Sequence, residues 1–77
     1  MNNKLSNNII DILTPYLGKA MAESSLKVNC TSYLKISPDE LSAEHIPALC
    51  DRLIRGLKVF VGVENAQNII NIIKILK

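Results

Sequence analysis

The stretch NAQNIINIIKIL, residues 65–76, decides the fold. It carries Ile69, Ile70, Ile72, Ile73, Ile75 and Leu76 almost without interruption. At helical spacing these side chains sweep an arc of about 220°, far wider than one buried face needs. A helix of this kind requires neighbours on more than one side. In a chain of 77 residues the candidates are the few other helices or a second copy of the chain.

The rest of the chain reads as helix too. Leu5, Ile9, Ile10, Ile12 and Leu13 line one side of a first helix from Asn3 or Lys4 to Leu13, with Asn7, Asn8 and Asp11 toward water. Thr14-Pro15 then predicts a restart, Thr14 as N-cap and Pro15 at the first helical position. The first two helices are accordingly separate, or kinked parts of one.

The second helix is expected from Pro15 to about Leu34. Lys19, Glu23 and Lys27 form a charged ladder at i, i+4 spacing. Beside it run an apolar stripe (Leu17, Met21, Ser24, Val28) and a strip of small residues (Gly18, Ala22, Ser25, Asn29). Glycine inside a helix costs roughly 1 kcal/mol relative to alanine, so Gly18 implies close approach of another helix. Residues 26–36 also have an extended reading, but only the helical period explains the ladder.

Ser37-Pro38-Asp39-Glu40 has the form of a capping box for a short turn. The third helix is expected to start between Ser42 and Ile46. Its stripe of Ile46, Leu49, Cys50, Leu53, Ile54 and Leu57 is clean. Asp51 and Arg55 are spaced for an ion pair, and Gly56 suits the position just beyond the helix end. Residues 57–63 are read as a helical turn or buried connector, since a lone strand would have no partner. Glu64 falls in the first turn of the last helix, where negative charge is favoured. No internal repeat stands out. The fold class expected is all-α: one domain over residues 1–77, with four main helices and one or two short turns.

Composition narrows function by exclusion. Hydrophobic residues make up 48%, ample for a folded core, while aromatics at 4% leave few platforms for stacking bases or sugars. A net charge of +2, scattered along the chain, is too mild to argue for nucleic acid or an anionic membrane. The first residues lack the apolar run of a signal peptide, and no stretch reaches spanning length, so a cytoplasmic protein without a membrane role is expected. Cys30 and Cys50 fit as small buried residues rather than a disulfide.

A catalytic constellation does not assemble. His45 is the single histidine, which rules out a multi-histidine metal site within one chain, and it is read as a helix-start residue. Cys50 sits in an apolar stripe, where structural cysteines sit. Neither a dinucleotide fingerprint nor a phosphate loop occurs. No metal and no cofactor are expected, and the chain is not read as an enzyme.

What remains is assembly. The reading is a non-catalytic helical interaction module that forms a homodimer or docks on a larger protein. Its interface is expected at Gly18, Ala22 and Ser25 of the second helix and at Asn68, Ile72 and Ile75 of the last. The small residues would give close approach, the isoleucines area, and Asn68, inside the apolar arc, register. The alternative is a small nucleic-acid-binding regulator whose third helix presents Arg52, Arg55 and Lys58 to phosphates.

Overall fold

The computed structural model describes residues 3–76 and is all-α. Helix α1 (Lys4–Leu17) and helix α2 (Lys19–Val28) form one hairpin; α3 (Ile46–Val61) and α4 (Val63–Lys74) form another. A π-helical segment, Asn29–Leu34, prolongs α2 and packs on α3. Two one-turn 3-10 helices, Pro38–Glu40 and Ala43–His45, lead into α3. No strand occurs among the described residues.

The break between the first two helices falls at Gly18, not at Thr14-Pro15. Pro15 lies inside α1. The acceptor it cannot serve is the carbonyl of Asp11, an exposed residue of α1. Thr14 Oγ1 donates to the Ile10 carbonyl at 2.7 Å, and the Gly18 N–H donates to the Thr14 carbonyl at 2.8 Å. Gly18 then turns the chain with φ 82° and ψ 154°, a region that side chains strongly resist. Gly18 is thus an elbow rather than a point of helix contact: a β-carbon built there meets nothing within 4 Å.

The second hairpin repeats the first. Gly62, 44 positions after Gly18, adopts φ 87° and ψ 164° between α3 and α4. In each hairpin the elbow glycine's carbonyl accepts the N–H of an alanine four residues on, Ala22 at 2.9 Å and Ala66 at 3.0 Å. Burial matches across the same offset. Leu5, Ile9, Leu13, Ala22 and Leu26 answer to Leu49, Leu53, Leu57, Ala66 and Ile70, all buried. Tyr16 and Phe60, just before the elbows, are both exposed. The repeat escapes a reading of the sequence because the solvent-facing residues of the two halves are unrelated.

One contiguous core joins the hairpins, with Ile9, Leu13, Leu26, Cys30, Leu49, Ile69 and Ile73 fully enclosed. Helix α4 finds the several neighbours its isoleucines require in α3 and α1. The accessible surface of 4661 Å² agrees with about 4,650 Å² expected for a compact monomer of 8.5 kDa. The area is that of a compact single chain with its buried residues in one cluster.

Polar ties fix the linker between hairpins to α1. Asn3 caps α1 by accepting the Ser6 N–H at 3.0 Å. Its side-chain amide donates to the Asp39 and Leu41 carbonyls at 2.9 and 2.8 Å. Buried Ser6 donates from Oγ to the Pro38 carbonyl at 2.6 Å. The expected capping box at Ser37 is present, the Ser37 N–H donating to Glu40 Oε1 at 3.0 Å.

Candidate interaction surface

Helix α3 shows how a clean stripe fixes orientation. Ile46, Leu49, Cys50, Leu53 and Leu57 are buried and Ile54 is half-buried. The helix does not stop at Gly56 but continues to Val61. Residues 57–61 are helical as expected, yet Val59 and Phe60 are not buried: they stand 83% and 63% exposed. Burying Leu57 and half-burying Val61 forces the residues between them outward at 100° per residue.

The same geometry sorts the isoleucines of α4. Ala66, Ile69, Ile70 and Ile73 face the core. Ile72 is 43% exposed and Ile75 75% exposed. Asn68 is exposed as well, and with Ile72 and Ile75 it occupies a narrow stripe, about 60° wide, turned away from the core. These three expected interface residues are thus brought together on one accessible face.

The three from the second helix are not. Ala22 is completely buried inside the protomer and presents nothing to a partner; its small side chain belongs to the α1–α2 contact. Gly18 is exposed at the elbow, and Ser25 is half-buried in a groove on the side of α3. The outward face of α2 carries Met21, Ser24 and Val28 instead.

That groove was not foreseen from the sequence. It holds about 130 Å³ and is lined by Leu17, Ser25 and Asn29 on one side, and by Arg52, Leu53, Gly56, Leu57 and Phe60 of α3 on the other. No acidic residue lines it. Arg52 lies over the Tyr33 ring, its guanidinium carbon 4.3 Å from the centroid, which holds the cation by its attraction to the π face. The signals that could have revealed the groove were a glycine inside a helical run and the single phenylalanine of the chain.

Arg52, Arg55 and Lys58 are all exposed. Arg55 forms no ion pair with Asp51, and Lys19, Glu23 and Lys27 likewise stay beyond pairing distance among the described residues. The three α3 cations do not converge. They fan over roughly 120° of the helix, with exposed Val59 between them.

The groups that could do chemistry have structural work. His45 Nδ1 accepts the Ser42 N–H at 3.0 Å, and Nε2 lies 3.8 Å from Glu44 Oε1. Cys30 and Cys50 are buried free thiols. Burial pushes both up from their ordinary range; for Cys50, Lys74 opposes that rise and Asp51 adds to it. Among the described residues, no three His, Cys, Asp or Glu side chains converge to hold a metal ion. No helix there is long and apolar enough to cross a membrane. Compared with protein-family models, curated proteins and solved structures, the chain matches none of them.

Proposed function

We propose that this chain is a non-catalytic helical interaction module, working in the cytoplasm by pairing with a second copy of itself or by docking on a larger protein. One observation carries the reading: Ile72 of α4 and Ile75, which caps it, stand exposed around Asn68 on one side of the helix, away from the core. Isoleucines exposed one turn apart are apolar area that a partner would bury, and a helix crossing its own copy along that stripe would cover them. Asn68 would then meet its symmetry mate and fix register through a side-chain amide pair. The unbridged thiols suit a reducing compartment. The occupied histidine and the enclosed thiols support a role without catalysis.

Light scattering across a concentration series tests it. The mass of two chains is expected at high concentration, returning to one chain in Ile75→Glu, where a charge would be buried against the partner. A single-chain mass at every concentration would remove self-association.

A further inference from the structure

We propose that the groove between α2 and α3 receives an acidic amphipathic segment of another protein, which seats one large apolar side chain over Gly56 and sets a carboxylate against Arg52. This rests on the interaction reading only in taking the chain to work by binding protein, and it uses a surface other than the α4 stripe.

Three observations lead there. The first is size. At about 130 Å³ the groove is well below the 300–1,000 Å³ of small-molecule sites and suits a single anchoring side chain. Leu17, Leu53 and Leu57 supply an apolar lining, and Phe60, 63% exposed, stands at its edge.

The second is Gly56. It lies within α3, its φ is not positive, and a β-carbon built on it meets nothing within 4 Å. The fold therefore gives no reason for glycine here, although glycine weakens a helix. Its missing side chain does one visible thing: it leaves the groove open beside Leu53 and Leu57, so that another backbone can come close.

The third is charge. Arg52 lines the groove and is steadied by Tyr33, yet it makes no hydrogen bond or ion pair with the described residues. A guanidinium has five N–H donors, so contact with one ring leaves donors for a carboxylate, which it can grip with two parallel bonds. Arg55, one turn along α3, adds positive potential beside it. A nucleic acid fits less well. Phosphates need cations that track a backbone, whereas these diverge around an exposed valine.

The test is selection from a displayed library of random peptides of about four helical turns against the whole chain, followed by affinity measurements on the enriched peptides. The peptides are expected to place Asp or Glu within one turn of a Leu, Ile, Phe or Trp. Arg52→Glu is expected to weaken them by about tenfold or more, and Gly56→Leu to abolish binding while circular dichroism shows the helical fold intact. Ile75→Glu should leave binding unchanged. The proposal is overturned if no peptide enriches, if enriched peptides lack acids, or if Gly56→Leu binds them normally. It is equally overturned if duplex DNA binds and Arg52→Glu abolishes that. Should Ile75→Glu alone destroy peptide binding, the groove proposal falls while the interaction reading survives on α4.

Discussion

Replacing each of the three glycines by alanine should move stability in opposite directions. At none of the three positions would a β-carbon come within 4 Å of an atom beyond the adjoining backbone and chain neighbours, so the local backbone conformation decides. Gly56 is helical, and there alanine gains the propensity difference of about 0.8–1.0 kcal/mol. Gly18 and Gly62 sit at φ 82° and 87° with ψ 154° and 164°. An alanine held there carries a strain of about 1–3 kcal/mol. For a domain of this size 1 kcal/mol moves the melting midpoint by about 4–8 °C. Gly56→Ala should therefore melt about 3–8 °C higher, and each elbow variant about 4–24 °C lower. Urea unfolding followed by circular dichroism should show the same signs as midpoint changes at constant slope. A lowered midpoint in Gly56→Ala, or unchanged midpoints in both elbow variants, would refute the assignment of one helical glycine and two elbows.

Three more outcomes follow from the enclosed thiols and from the Asn3 cap. Because burial raises the Cys30 and Cys50 thiols above the reference value of 9.0, their protonated forms are the ones the fold tolerates. That stability is complete below the unfolded value and is lost as pH climbs through the raised folded values. Urea midpoints should be flat near neutrality and fall above about pH 9, and a thiol-reactive disulfide reagent should label the native chain far more slowly than the unfolded one. An alkaline midpoint that does not fall, or fast native labelling, contradicts the enclosed placement. Asn3→Ala removes a helix cap and both amide bonds to the 38–41 turn, and should cost about 1–3 kcal/mol by urea unfolding. A loss under about 0.5 kcal/mol would mean that these bonds are exchanged for water without penalty.

The third helix was the most legible element, because its apolar positions fall on one period and its charges on the other side. All six stripe residues from Ile46 to Leu57 turn inward at least in part. The hairpin of α1 and α2 was not legible. Pro15 looks like a boundary and Gly18 like a helix-packing residue, whereas the reverse holds. Pro15 gives up one helix bond and is still held inside α1, whereas φ 82° with ψ 154° strains any side chain, so that Gly18 ends the helix.

The surplus of isoleucine in the last helix was visible from its arc. Which of them stay outside depends on how Gly62 aims α4 against α3 and α1, a tertiary fact no local pattern contains. The groove was invisible for the same reason. Arg52, Tyr33 and Leu17 meet only after both hairpins have docked. The expected interface strip on the second helix separated once Ala22 turned inward and Gly18 became an elbow.

The two hairpins share a geometry but not a filling. Where α4 places Ile69 and Ile73 in the core, α2 and its π-helical extension place Ser25 and Asn29, both only half-buried. Each such exchange forgoes much of the roughly 1.5–3 kcal/mol that a buried aliphatic side chain supplies. Ser25 and Asn29 therefore leave a shallow gap on the α3 side of α2, while Leu26 and Cys30 of the same stretch are fully enclosed and tie it into the core. That stretch is one wall of the groove beside α3. Both walls are rooted in the core, by Leu26 and Cys30 on one side and by Leu49, Leu53 and Leu57 on the other, so the cleft stands ready-made and a segment entering it meets walls that need no reordering.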